Sequence, residues 1–221
     1  MTPRIVVLSA PSGGGKTTIA KAVRERYPDR FGFSVSATTR KPRRGEQDGV
    51  DYHFWKPSAF LEAVNQGKFL EHAEYAGELY GTLKSDVKKI LGSGRHVLLD
   101  IEVRGAEQVR QLEPNATTIF ILPSDPRVLI QRLVHRGSES PQEIQRRLER
   151  AIYELGHARN FNRWIRNDDL EDAVRAVVQS VEQSPVELSR DEHDFAWLNR
   201  YLDGIQVEKQ RLYDNLDQQK G

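Results

Sequence analysis

Residues 4–23 read "RIVVLSAPSGGGKTTIAKAV". An apolar run from Ile5 to Leu8 leads into Gly13, Gly14 and Gly15, then Lys16, Thr17 and Thr18, and then a helical pattern. A phosphate-binding loop is written G-x-x-x-x-G-K-[ST]. Counting back from Gly15 and Lys16 puts its first glycine at position 10, where this chain has Ala10. The substitution is compatible with the loop's physics. Successive backbone N–H groups point into a concave turn, and the helix behind it adds positive potential. The three glycines let the backbone take positive φ and approach an anion closely. Position 10 only closes the strand, so alanine fits there if its φ is negative. Ala10, Pro11, Ser12, Gly13, Gly14, Gly15, Lys16, Thr17 and Thr18 are therefore read as the donor-phosphate loop. Lys16 reaches the β and γ phosphates and the Thr17 hydroxyl faces Mg²⁺, partly through water. The loop by itself says nucleotide hydrolase or kinase and leaves the second substrate open.

Working outward, "HVLLDIE", "TTIFILP" and, more weakly, "RWIRND" join the first run as short buried strands separated by helical patterns. That pattern predicts a parallel sheet covered by helices. "TTIAKAVRERY" is helical and Pro28 stops it. From Phe33 to about Thr82, interleaved aromatics and turn residues predict a small, partly antiparallel β unit interrupted by the short helix "PSAFLEAVNQG". Helical periodicity with many arginines runs from Pro126 to about Leu155, with Ser140 and Pro141 marking a helix start. At the far end, Phe195, Leu198, Leu202, Ile205, Leu212 and Leu216 follow helical spacing. This amphipathic helix either docks on its own core or contributes to a dimer, and Gly204 argues against a long unbroken helix.

The 221 residues suit one α/β domain with inserted parts. A hydrophobic content of 38% allows a core, and a net charge of +1 gives no global argument for nucleic acid. The absence of cysteine excludes disulfides and cysteine-based zinc sites. The apolar start is too short for a signal peptide, and no run is long enough to span a membrane, so a cytoplasmic protein is expected.

A second cluster lies in "SVSATTRKPRRGEQDGVDYHF". Arg40, Lys41, Arg43 and Arg44 stand among the hydroxyls of Ser36, Thr38 and Thr39, with Tyr52 following. Arginine forks beside hydroxyls suit a phosphate monoester; on charge alone a solvated loop or an RNA contact reads equally well.

Taken together and in order, "SAPSGGGKTT", "FGFSVSATTRKPRRGEQDGVDYHF", "FLEHAEYAGELYGT", "LLDIEVRGAEQV" and "NDDLEDAV" closely resemble the guanylate kinases, from about Ile5 to Val178. The resemblance implies a P-loop hydrolase-type α/β fold: a parallel sheet with helices on both faces, a small mixed β GMP-binding unit and a helical lid. It divides the chain into a core (1–34, 96–125 and 160–184), a GMP-binding unit (35–95), a lid (126–159) and a C-terminal extension (185–221) expected to be helical. It implies transfer of the γ-phosphoryl of ATP to GMP, and to dGMP, with Mg²⁺, in purine nucleotide metabolism and GMP recycling. The expected partners are ATP and GMP, with no nucleic acid and no membrane, the protein being a monomer or homodimer.

The resemblance also assigns residues. Arg40, Arg43, Tyr52 and Tyr80 hold the GMP phosphate, Glu71 accepts from guanine N1–H and the 2-amino group, and Ser36 and Thr82 donate to O6 or bridge to the ring. Asp100 contacts guanine or binds metal through water, and Glu46 belongs to the same site. Arg132, Arg136 and Arg147 match the lid's phosphate-binding arginines and act in catalysis with Lys16 and Arg40, while Arg146 and Arg150 are expected to be solvated. Asn167 and Asp168 lie near adenine. Lid and GMP unit are expected to close on binding. Two departures stand out: Glu102 where the family has aspartate, and Phe161-Asn162 where it has Tyr-Asp. Scaffold domains of this fold that bind phosphopeptides lack the loop lysine and lid arginines, which are present here. A kinase of the same fold with another acceptor is disfavoured by Glu71, Ser36 and Thr82.

Overall fold

A computed structural model describes residues 2–134, 141–183 and 192–218. The strands are β1 (Ile5–Ser9), β2 (Phe31–Phe33), β3 (Ala37–Thr38), β4 (His53–Phe54), β5 (Phe69–Tyr75), β6 (Glu78–Leu83), β7 (His96–Asp100), β8 (Thr117–Leu122) and β9 (Arg163–Arg166). The helices are α1 (Lys16–Arg26), α2 (Pro57–Asn65), α3 (Lys84–Gly92), α4 (Val103–Leu112), α5 (Pro126–Val134), α6 (Pro141–Gly156), α7 (Leu170–Ser180) and α8 (Glu192–Gln218). A five-stranded sheet has the order β2-β7-β1-β8-β9, and a four-stranded sheet the order β4-β3-β6-β5. The chain divides into two compact units, Met1–Leu8 with Ala20–Thr118 and Ser9–Ile19 with Ile119–Gly221.

In the first unit, β7 pairs in parallel with β1 and with β2. β1 is buried throughout, as is β7 up to Leu99. This is why both read as continuous β-branched and leucine runs with no alternation. The three-residue β2 escapes that reading. "FGF" is too short to show a period, and its central glycine reads as a turn. Gly32 is nevertheless needed, because a Cβ there runs into the side chain of Ile90.

The small sheet is mixed: β3 pairs in parallel with β4 and antiparallel with β6, which is also antiparallel to β5. Its own core is Ala37, Phe60, Ala63 and Phe69, with Phe60 and Phe69 stacked at 4.4 Å. α2 begins with Pro57 in its first turn, where the missing N–H costs no helical bond. Among the described residues no helix is long and apolar enough to cross a membrane.

In the second unit, β8 and β9 pair in parallel and β8 is buried throughout. α7 is capped by Asp169, whose carboxylate accepts from the N–H of Asp172 at 2.9 Å. Phe161 is buried and packs on Phe120 at 5.1 Å, so an apolar ring rather than a phenol fills that position.

α8 continues through Gly204, contrary to the expectation that this glycine breaks it. Gly204 is there for space: a Cβ would stand 2.8 Å from Cγ of Pro126, at the start of α5. Leu198, Tyr201 and Ile205 are buried, and α8 packs on α5 and α6. The first reading of this amphipathic stretch, docking on its own unit, is met by these contacts within the chain. Trp197 adds an edge of aromatic contacts to Trp164 and Tyr201 and lies under the Arg166 guanidinium. Gly204→Ala gains roughly 1 kcal/mol of helix propensity. It loses about 1–3 kcal/mol to overpacking against the proline ring. The expected net is a Tm lower by roughly 2–6 °C. A calorimetric Tm at or above wild type would show that this contact yields freely.

Candidate active site

The glycine loop lies in the second unit. β1 ends at Ser9, and Ala10 is buried in the position that closes the strand. Among the described residues the one non-glycine with positive φ is Ala76, so the backbone at Ala10 demands no glycine. Gly13 and Gly15 do carry positive φ, +80° and +87°. Gly14 does not, a correction to the expectation that all three serve the same purpose. Its constraint is steric: a Cβ would stand 2.8 Å from Ala10 Cβ and 2.8 Å from the Pro11 carbonyl. The Gly14 N–H donates to that carbonyl at 2.8 Å, closing the turn. Lys16 opens α1 half-buried, and Thr17 and Thr18 follow it exposed.

Around this loop the second unit assembles further groups. The Asn167 side-chain amide donates to the Gly14 carbonyl, and its oxygen accepts from Arg132 Nη1 at 3.2 Å. Asn167 thus ties the loop to Arg132 of α5. Asp168 accepts from the Ser124 N–H at 2.9 Å. Arg147 Nη1 donates to the Leu133 carbonyl at 2.6 Å, near the end of α5. Arg136 and Ser140 lie outside the described residues, as does the side chain of Leu216. Arg146 is exposed, as expected. Arg150 is not simply solvated: its Nε stands 3.6 Å from Glu154 Oε1. Glu154 is 4% exposed and its Oε2 accepts from the Ser12 N–H at 2.7 Å. The reading of the sequence missed this residue. Its signal was present, since it stands three residues after Ala151 on the face that carries Ile144, Leu148 and Leu155.

In the first unit the remaining candidate residues form two clusters. In the first, Arg40 presents its fork to Glu46, with Nη1 at 2.9 Å and Nη2 at 2.8 Å from the two carboxylate oxygens. Glu46 also accepts from the Arg43 N–H at 2.6 Å, which fastens the "RKPRRGE" turn. Hydrogen bonds from Arg40, then from the Arg43 backbone, hold the Glu46 carboxyl down at about 2. The Glu46 bond likewise holds the Arg40 guanidinium above its ordinary value, against the opposing effect of burial. This pair therefore stays charged throughout the neutral range. The Arg40 guanidinium stands 5.2 Å from the Tyr52 ring, and Tyr52 meets Tyr80 edge-on at 5.9 Å. Arg40, Glu46, Tyr52 and Tyr80 are thus brought together, while Lys41, Arg43 and Arg44 remain exposed. Two of the expected hydroxyls are engaged elsewhere. Thr39 donates to Glu78 at 2.6 Å, which commits its proton within the fold, and Thr38 accepts from the Arg40 N–H at 3.2 Å, which shapes the turn into Arg40.

In the second cluster, register sets Glu71 opposite Thr82 across β5 and β6. The Thr82 hydroxyl donates to Glu71 Oε1 at 2.6 Å, with Glu71 4% and Thr82 0% exposed. A side chain at Gly105 would collide with Glu71 Oε2, so the glycine in the first turn of α4 makes room for this carboxylate. Ala37 pairs with Gly81, which directs Ser36 toward the Thr82 end of β6. Asp100 ends β7, half-buried. Glu102 caps α4 by accepting from the Gly105 N–H at 2.7 Å, a reach its extra methylene accommodates.

Comparison with known proteins identifies the family. The family model described as "Guanylate kinase" matches residues 2–184. A guanylate kinase of Clostridium perfringens is 44% identical over 173 residues, 78% of this chain and 80% of the relative. One from Chlorobium chlorochromatii is 46% identical over 179 residues, 80% of this chain and 94% of the relative. One from Thermus thermophilus is 47% identical over 174 residues, 79% of this chain and 78% of the relative. The crystal structure of guanylate kinase from Anaplasma phagocytophilum superposes with a TM-score of 0.67 at 28% identity, covering 82% of this chain and 85% of that one. A glycine loop closed by alanine, a buried glutamate fixed by a threonine and an arginine clamped between carboxylate and tyrosine thus occur on a sequence matched almost from end to end of its described core: the chain belongs to the guanylate kinase family.

Proposed function

We propose that this chain moves the γ-phosphoryl of ATP to GMP, and to dGMP, with the donor held by Ala10–Thr18 and the acceptor by residues of the 35–95 unit together with Asp100. The observation that carries the acceptor assignment is Glu71, a carboxylate 4% exposed and fixed at 2.6 Å by the Thr82 hydroxyl. Guanine offers N1–H and the 2-amino group as adjacent donors to such an anion. Adenine lacks both and would bring no donor to the buried carboxylate, which is how a site built on hydrogen bonds rejects an analogue. Ser36 serves O6 in this reading, while Thr82 orients Glu71. Arg40 takes the GMP phosphate with Arg43, Tyr52 and Tyr80, and Glu46 keeps its fork in place.

Phosphoryl transfer asks a protein chiefly for in-line positioning and charge neutralisation. Lys16, Arg132, Arg147 and, by resemblance, Arg136 neutralise charge on the moving group. The attacking GMP oxygen is already anionic near neutral pH, so no general base is required. Asn167 aligns Arg132 with the loop. A Mg²⁺ ion fits the donor side: Thr17 offers an exposed hydroxyl oxygen to a hard cation that keeps waters and phosphate oxygens as its other ligands. When bound, it neutralises phosphate charge. The reading also takes residues 126–159 as the lid and the protein as a cytoplasmic enzyme of purine nucleotide metabolism.

A coupled assay of ADP production with GMP, AMP, CMP and UMP as acceptors tests this directly. GMP is expected to be preferred by orders of magnitude, and ADP release that does not depend on GMP would overturn the reading.

A further inference from the structure

α6 carries a carboxylate where a helix surface gives no reason for one. Ile144, Leu148, Ala151 and Leu155 form its buried stripe, at 8%, 1%, 1% and 0% exposure. Glu154 sits among them at 4%. A carboxylate stripped of water at this depth persists only with compensating donors. Two are in place: the Ser12 backbone N–H at 2.7 Å, and the Arg150 guanidinium at 3.6 Å one helical turn earlier. The first has the short length of a charge-assisted bond. It is made to the phosphate loop, one residue before the positive-φ Gly13.

We propose that Glu154 is a positioning residue for ATP. Its carboxylate orients the Ser12 peptide, and with it the turn through Gly13, Gly14 and Gly15. It works alongside the Gly14 N–H bond to Pro11 on the leading side of the loop and the Asn167 bond to the Gly14 carbonyl on the trailing side. A loop fastened at both ends is already in its anion-binding shape, so ordering it does not subtract from the binding of the triphosphate. The fastening also joins the loop to the helix that bears Arg147, two turns before Glu154, so loop and arginine move as one body. Had the carboxylate been a competitor for the donor phosphates, it would need to stand in the solvent-accessible mouth of the site; instead it lies in the apolar stripe of α6.

The inference rests on the assignment of this loop to ATP, and the test separates the two. Glu154→Asp keeps the charge but shortens the reach to Ser12. Glu154→Gln keeps the reach and an accepting oxygen but loses the charge. A lost bond of this kind corresponds to about a tenfold or greater change in affinity. The aspartate variant is therefore expected to raise the ATP Kd by titration calorimetry, and the ATP KM, by about tenfold, with the glutamine variant within about threefold of wild type. The GMP KM is expected to stay unchanged in both. An unchanged ATP Kd in the aspartate variant, tighter ATP in either variant, or ATP and GMP KM rising together overturns the role of Glu154. Absence of ATP binding in the wild type would instead overturn the loop assignment itself. A measurement without variants covers the case in which the aspartate protein does not fold. Amide hydrogen exchange at Ser12 is expected to be slow without nucleotide and no slower with ATP. Fast exchange that ATP suppresses overturns the proposal.

Discussion

Replacing Lys16 by alanine is expected to lower kcat by about three orders of magnitude, roughly 4 kcal/mol of transition-state stabilisation, while the fold survives. The two effects separate because Lys16 opens α1 while the core contacts of that helix come from Ile19, Ala20, Ala22 and Val23, all buried. Alanine is the strongest helix former, so the first turn is not weakened. What is lost is an ammonium at a helix N-terminus, where loop N–H groups and helix potential already attract an anion. Those fixed dipoles still bind the triphosphate, so the defect falls on kcat more than on ATP affinity. Steady-state kinetics beside a thermal melt measures both. A folded variant with near-normal turnover would remove Lys16 from the mechanism.

Glu71→Gln is expected to lower kcat/KM for GMP by about a hundredfold, roughly 3 kcal/mol, and to leave the ATP Kd nearly unchanged. A carboxylate accepts from both guanine donors, whereas glutamine offers one oxygen and turns an amino group toward the second donor. The Thr82 hydroxyl, buried and donating to Glu71, then competes for the one remaining acceptor. Discrimination between GMP and AMP should narrow at the same time, because the penalty on adenine comes from desolvating an anion to which adenine brings no donor. The two predictions are complementary: the lysine belongs to the second unit and the glutamate to the first. Equal loss of ATP and GMP binding in the glutamine variant would point to a disturbed fold and remove the guanine assignment.

The loop and four strands of the large sheet were legible because their signals are local, the fourth, β9, more weakly because only its Ile165 is buried. Consecutive glycines before Lys-Thr, and buried runs such as Val97–Leu99 or Ile119–Leu122, need no partner to be recognised. β2 was not legible, since three residues with a central glycine have no period and become a strand only by pairing with β7. The same limit governs the acceptor cluster. Arg40 and Glu46 are near neighbours in sequence and the Thr38 bond to the Arg40 N–H is local, but the Thr39 bond to Glu78 depends on β3 lying beside β6.

Amino-acid order alone made the glycine loop legible, because a backbone anion site is built from contiguous residues whose conformational freedom is written in their identity. Ala10 belongs to this class: it needed only a negative φ, and the misfit with the glycine pattern carried no consequence. Tertiary structure alone decided which polar groups are spent on one another. Glu154 meets Ser12 across 142 positions of sequence, Asn167 meets Gly14 across 153, and Gly204 is required by Pro126 rather than by its own helix. Hydrogen bonds and steric contacts between distant segments depend on where the fold brings the chain back to itself. A helical period or a glycine count records only what a residue can do, not what stands 3 Å away.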